Sequence, residues 1–589
     1  MSNTRPQPVG GDELLNLALG LIAGIVGLGL VLRAAASVTA WLVGLPPPNG
    51  SVIAGLGVLA SPLDPGGATG APRLNPVLFW IVTTVLLLAV AAPAVAGVVW
   101  WRGRRQSASH HQLAGIAGAG DIARVASPRT LTRRAAILRP ALAGKPTPAE
   151  LGYLLGISRG RQVWATVEDS ILLIGPPRSG KGLHLVINMI LDAPGAVVTT
   201  STRPDNLTAT LAARQKLGPV AVFDPQQLAP GLPTGLRWSP VRGCDDPLTA
   251  MIRATGLAAA TGLGGGGVES GGFWEGKTRA AIQGLLHAAA LDGRDARSLY
   301  QWALNPAIAA DAVRILATSP GAAEGWAESL DSMIQSDPRT RDSIWQGVGL
   351  AFSALADPRV LDAVTPREGE SFDPGAFLRD NGTLYLLATG AGAGASSALV
   401  AALIEDLVET ARKAAARSAG ARLDPPLLLA LDEIGNLAPL PSLPTLMAEG
   451  GGTGITTLPV LQSLAQAREK WGTENAGAIW DASIVKVILG GAANARDLQD
   501  ISALLGERDD TTDSISRDSH GGRSYQSSFR RVPVMPPDVL RTLPFGTGVV
   551  LLRSAPPIVA RLRPWTARGD VGQLRVDRAA IEAQLRDSA

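Results

Sequence analysis

The residues best suited to chemistry lie in two short segments far apart in the chain. Gly175, Pro176, Pro177, Arg178, Ser179, Gly180, Lys181 and Gly182 form a glycine-rich turn directly after the apolar run Ser170 to Ile174, and Leu183 to Ile190 then reads as a helix. A strand, such a turn and a helix start are the setting in which backbone N–H groups cradle phosphates at the positive helix end, while Lys181 reaches the β- and γ-phosphates of ATP. Gly182 stands where the general motif has Ser or Thr, so Mg2+ must find another ligand or a water in place of that hydroxyl.

The second segment is Leu427 to Leu431 followed by Asp432 and Glu433, an apolar strand ending in two acids. This is the Walker B pattern. It predicts Asp432 as the residue that holds Mg2+, directly or through water, and Glu433 as the one that orients and deprotonates the attacking water. Gly454 to Leu461 reads as a further strand of the same parallel sheet, with Gln462 at its carboxyl end, where ligands gather. Gln462 is a candidate γ-phosphate sensor; spacing alone equally fits a plain strand cap.

Elements must hold these ends together, and the 589 residues exceed one ordinary domain. Charged residues are 17% of the chain and the mean hydropathy is +0.19, which places part of it in lipid. The apolar stretches, about residues 14–45 and 76–101, are each long enough to span a bilayer, and Trp100 and Trp101 sit where an interfacial belt belongs. Arg33 interrupts the first. Arg102, Arg104 and Arg105 follow the second, whereas the loop of residues 46–75 carries only Asp64 and Arg73. The positive-inside rule then puts the bulk of the chain, and the N-terminus with Arg5, in the cytoplasm.

The net charge of +3 gives little support to nucleic-acid binding by itself. Cys244 is the only cysteine, which excludes an intramolecular disulfide, and the five histidines, His520 among them, show no zinc-ligand spacing. Arg124, Arg129, Arg133, Arg134 and Arg139 make a basic juxtamembrane stretch suited to anionic lipid or to DNA.

The phosphate loop, Leu431 to Leu437 (Leu-Asp-Glu-Ile-Gly-Asn-Leu), and Gln462 to Arg468 with Trp471-Gly472 together resemble the TraG/VirD-type coupling proteins of conjugation, in a form like those of actinobacteria. The resemblance runs from about residue 150 to 565. In that family the loop often ends Gly-Lys-Gly, as it does at Gly182. The resemblance implies an α/β fold with a RecA-like P-loop motor domain, an all-α inserted domain and a two-helix transmembrane anchor. It also implies a homohexamer at the cytoplasmic membrane that hydrolyses ATP with Mg2+ and delivers single-stranded DNA or a relaxase–DNA complex to the channel components of a type IV secretion system.

The expected domains are an anchor (1–105), a basic linker (106–150), a motor in two pieces (151–244 and 380–565), a helical insertion (245–379) and a C-terminal tail (566–589). The insertion is alanine-rich with helical spacing and is entered through the Gly262–Gly272 loop. Residues 507–531 read as a mobile polar loop, in which Arg523, Tyr525, Phe529, Arg530 and Arg531 are candidates to touch DNA. Arg468 and Arg496 are candidates for a guanidinium donated to a neighbouring subunit's site. An FtsK-type double-stranded DNA translocase and a non-hydrolysing membrane tether are the competing functions.

Overall fold

The computed structural model describes all residues except 1–10, 72, 112, 233–234, 265–270, 389–393, 518–522 and 589. Arg5, His520 and the centre of the Gly262–Gly272 loop lie outside the described residues, as do the side chains of Trp100, Trp101, Arg102, Arg104, Arg105, Arg523 and Tyr525.

The chain divides into two units, Met1–His110 and His111–Ala589. In the first, the apolar runs form helices Gly11–Leu42 and Pro76–His111, of which Gly24–Leu42 and Pro76–Pro93 are long and apolar enough to cross a bilayer. Arg33 is compensated inside this unit. Its guanidinium donates from Nε to Gly50 O and from Nη1 to Ser37 Oγ, each at 2.6 Å, and from Nη2 to Pro48 O. The connection between the helices thus supplies carbonyls to a charge that lipid could not solvate.

The second unit is built on a sheet of eleven strands. Strands β1 (Gly152–Ser158) and β2 (Arg161–Thr166) form an antiparallel pair at one edge. Next come β3 (Ile171–Ile174), β4 (Val197–Ser201), β5 (Val220–Phe223), β6 (Thr383–Leu387), β7 (Leu427–Leu431), β8 (Ile455–Leu461) and β9 (Val485–Leu489). These run parallel in the spatial order β9-β3-β8-β7-β4-β6-β5. After a separate hairpin, β10 (Glu507–Arg517) and β11 (Arg523–Pro533), the strands β12 (Thr547–Leu552) and β13 (Ile558–Arg561) join β9 to β1 with antiparallel pairing.

The parallel strands carry apolar side chains on both faces because helices cover both. Leu172 and Ile174 pack on one side with Leu429 and Leu431, while Leu173 packs on the other with Leu428 and Ala430. That is why these strands read as unbroken apolar runs rather than as alternation. Parallel direction also brings the carboxyl ends of β3, β8 and β7 to one edge.

Helices from Pro247–Ala259 to Pro374–Arg379 are inserted between β5 and β6. Their starts are written locally. Asp246, Asp337, Asp357 and Asp373 each accept a backbone N–H of the following turn, and each precedes a proline at the first helical position.

Three segments take a form other than the one expected. Residues 113–150 contribute short helices whose Ile122, Leu131 and Leu138 are buried in the second unit. Three of their five arginines are paired there: Arg134 with Glu168 at 2.5 Å, Arg139 with Asp424, and Arg124 with Asp121 at 2.9 Å. Residues 571–587 form a helix that buries Leu574 and Ile581 near the helix Asp205–Gln215. The expected polar loop is the β10–β11 hairpin, whose register sets Asp509 opposite Arg531 and Asp510 opposite Arg530. A Ser/Thr/Asp composition that cannot form a core still pairs when opposite charges face one another across strands. Phe529 remains 79% exposed.

Candidate nucleotide site

The phosphate loop leaves β3 through backbone that only certain residues permit. At Gly175 a Cβ would stand 2.6 Å from Ser179 Oγ, and at Gly180, where φ is +89°, 2.6 Å from His184 Nδ1. The Gly180 position therefore requires glycine, while a side chain at Gly175 would have to displace the Ser179 hydroxyl. Arg178 also adopts a left-handed backbone, with φ +64°. Beyond Lys181 the first helical turn is wound wide, with the Ile187 N–H bonded to Gly182 O. His184 ties this turn down: its Nδ1 donates to Gly180 O at 3.0 Å and its ring meets Phe545 edge to face, with centroids 5.0 Å apart.

Lys181 folds over its own loop, donating from Nζ to Gly175 O at 2.6 Å and to Pro176 O at 3.2 Å. Burial lowers its pKa, against the pull of Asp432 and Glu433. From the end of β7, Asp432 and Glu433 enter the same cavity, which has a volume of about 510 Å³. Burial, then the neighbouring Glu433 charge, pushes Asp432 up to about 6. Its backbone oxygen accepts from Thr200 Oγ1 at 2.7 Å, and its Oδ2 accepts from Asn206 Nδ2 at 3.3 Å. Glu433 sits in left-handed backbone at φ +52°, a conformation costing about 1–2 kcal/mol for a side chain with a Cβ. The strained turn throws its carboxylate toward β4, where Thr202 Oγ1 donates to Oε2 at 2.5 Å.

The donor set fits a nucleotide with Mg2+. The Ser179 hydroxyl is buried in the loop with no hydrogen-bond partner among the described residues. The like-charged Asp432 and Glu433 raise a demand for a cation. Among the described residues, no group of three or more His, Cys, Asp or Glu is gathered as a metal cage. Mg2+ needs no such cage where phosphates and waters complete its shell.

Of the residues anticipated from sequence, Pro177, Arg178, Ser179, Gly180, Lys181, Gly182, Asp432 and Glu433 line this cavity. Gly175 and Pro176 serve it through their carbonyls. Gln462 is not brought in. It stands at the end of β8, its N–H donating to Gln466 Oε1 at 2.9 Å, and lines a neighbouring cavity with Pro176, Pro177 and Asn494. Arg468 is held at 2.5 Å by the buried Asp497, and with Arg496 it lines a different cavity.

Sequence reasoning missed the rest of the lining. Asn206, Trp565 and Arg578 line the nucleotide cavity too, the last from the C-terminal helix. The C-terminal segment is pinned to the helix that follows the phosphate loop: Arg568 Nη1 lies 2.7 Å from Asp192 Oδ1, and Asn188 Nδ2 donates to Arg563 O at 2.8 Å. Arg578 pairs with Glu582 at 2.7 Å, its guanidinium 5.8 Å from the Trp565 ring centre. The available signal was the spacing of Val571, Leu574, Ile581 and Leu585, an apolar helical stripe in a segment read as a tail.

With this geometry in view, residues 426–545 match the family model described as the TraM recognition site of TraD and TraG. The chain carries a TraG/TraD-type domain. Its matched segment spans β7 to β11 and so includes Asp432 and Glu433. The unbound monoclinic form of the bacterial conjugative coupling protein TrwB (TrwBdeltaN70) superposes with a TM-score of 0.52 at 18% identity, over 74% of this chain and 92% of that one. TrwB in complex with ADP and Mg2+ gives 0.51 at 18%, over 75% and 93%. TrwB with a non-hydrolysable ATP analogue gives 0.51 at 17%, over 74% and 93%. At such identity the likeness is one of fold, here the RecA-like motor fold implied by the resemblance to TraG/VirD-type coupling proteins. None of the curated proteins matches the chain.

Proposed function

We propose that this TraG/TraD-type chain is a membrane-anchored ATPase that couples ATP hydrolysis to the movement of DNA, or of a relaxase–DNA complex, through a type IV secretion channel during conjugative transfer. The observation that carries the reading is the convergence of Lys181, Asp432 and Glu433 on one cavity at the carboxyl ends of β3 and β7. The TrwB complexes with ADP and Mg2+ and with an ATP analogue support the same cofactors here.

In this reading the loop N–H groups and Lys181 hold the phosphates, Lys181 exchanging its carbonyl partners for phosphate oxygens. Asp432, whose carboxyl burial pushes up to about 6 and which is therefore an anion at neutral pH, would hold Mg2+, which would supply positive charge against the charge that develops on the phosphates during transfer. Glu433, oriented by the Thr202 hydroxyl, accepts the proton of the attacking water. Arg578 contacts the nucleotide from the outer wall.

The two apolar helices anchor the chain in the cell membrane with residues 102 onward in the cytoplasm. The motor works as a homohexamer, and the match to a TraM recognition site supports docking of relaxosome components on residues 426–545. The deciding assay is phosphate release by the full-length protein in detergent with ATP and Mg2+. Hydrolysis stimulated by single-stranded DNA is expected. Nucleotide binding without turnover, even with DNA, would instead identify a tether.

A further inference from the structure

Gly182 leaves a chemical gap. A phosphate loop ordinarily offers Mg2+ a hydroxyl at this position, a neutral oxygen placed beside Lys181. The structure shows what stands nearest the gap. A Cβ built on Gly182 would meet a single neighbour within 4 Å, Asn206 Oδ1 at 3.8 Å. Outside the loop's own helix, the Asn206 amide is therefore the nearest neighbour that a serine side chain at this position would have.

Asn206 is placed to serve from there. It lies in the first turn of the helix Asp205–Gln215 after β4, is 2% exposed, and lines the cavity that holds Lys181 and Asp432. Its orientation is dictated by chemistry. The Asp432 carboxylate can only accept, so the amide must present Nδ2 to Asp432 Oδ2, at 3.3 Å, which turns Oδ1 toward residue 182. An amide carbonyl is a neutral, hard oxygen, a kind that divalent cations of this class accept.

We propose that Asn206, through Oδ1, supplies the oxygen toward the Mg2+ shell that Gly182 lacks, with Asp432 both a ligand itself and the group that aims the amide. The inference rests on the nucleotide-site reading above. It makes the loop and the β4 helix two halves of one function that other phosphate loops place in a single residue.

The test measures binding of a fluorescent ATP analogue to the full-length protein, in EDTA and across a Mg2+ titration. Wild type, Asn206→Ala, Gly182→Ser and the double variant are compared. Asn206→Ala is expected to raise the Mg2+ concentration at half-effect about tenfold. Adding Gly182→Ser to it should return the midpoint close to the wild-type value, since a Cβ there meets no atom outside the loop's own helix closer than 3.8 Å. An unmoved midpoint in Asn206→Ala would overturn the proposal. So would a loss equal in EDTA and in Mg2+, the mark of a structural role, or a loss that Gly182→Ser leaves unrepaired. Absence of any Mg2+-dependent binding by the wild type would be a different failure, that of the nucleotide site itself.

Discussion

The inner and outer walls of the nucleotide cavity are made in different ways. The inner wall is the carboxyl ends of β3 and β7 and their turns: Lys181 is six residues beyond Gly175, and Asp432 directly follows β7. Its chemistry and its position come from the same few residues. The outer wall, with Asn206, Trp565 and Arg578, is assembled from the start of one helix and from a C-terminal segment held by Arg568 on Asp192 and Arg563 O on Asn188. The lesson is that strand-end chemistry is carried by local sequence, while the group that faces it depends on tertiary packing.

The largest expected effect is on the inner wall. Lys181→Ala removes the only cation inside the loop itself that folds onto its carbonyls, and we expect ATP turnover to fall at least about a hundredfold, with folding retained. Steady-state phosphate release and a thermal melt check both halves. Turnover within a few-fold of wild type would mean that the inner wall is not the site of chemistry.

A middle effect is expected on the outer wall. Arg578 is partly exposed and shared with Glu582, so Arg578→Ala should weaken nucleotide binding about fivefold, mainly in KM. Equal KM values in variant and wild type would reduce the C-terminal helix to a structural brace. A kcat loss rivalling that of Lys181→Ala would erase the distinction between the walls.

The smallest effect is one of pH. Asp432 has a native pKa raised from 3.8 to about 6, so the native state holds its proton more tightly than the unfolded chain. Stability of the ligand-free protein must then fall as pH rises from about 4 to about 6, by at most about 3 kcal/mol, and stay reduced above. Asp432→Asn removes this dependence. Thermal melts from pH 4 to 7 should show the variant gaining on wild type over that window; parallel curves would contradict the buried, cation-demanding carboxylate.

These same two walls account for what could be read without a structure. The runs Ile171–Ile174, Leu427–Leu431 and Ile455–Leu461 are buried on both faces, so their apolarity announced strands, and the phosphate loop and the acid pair announced the inner wall. Alanine-rich helical spacing announced the helices of the insertion. Composition misled where pairing, not burial, sets the structure: the β10–β11 hairpin is polar and reads as a loop because its stability comes from the partner strand. Arg134 and Arg139 read as part of a basic patch because their acids, Glu168 and Asp424, lie elsewhere in the sequence. Gln462 was placed correctly at a strand end, yet Gln466 takes its N–H and it lines the neighbouring cavity. Asn206 and Arg578 belong to no local motif at all.

The central claim is that Glu433, strained into left-handed backbone and held by Thr202, is the group that takes the proton of the attacking water. Glu433→Gln keeps the shape and leaves the Asp432 carboxylate in place, so the most direct measurement is single-turnover hydrolysis beside equilibrium binding of ATP with Mg2+ in this variant. The account predicts wild-type-like binding with hydrolysis slowed about a hundredfold or more, trapping ATP on the protein. Hydrolysis at the wild-type rate, or loss of ATP binding as complete as in Lys181→Ala, would contradict it.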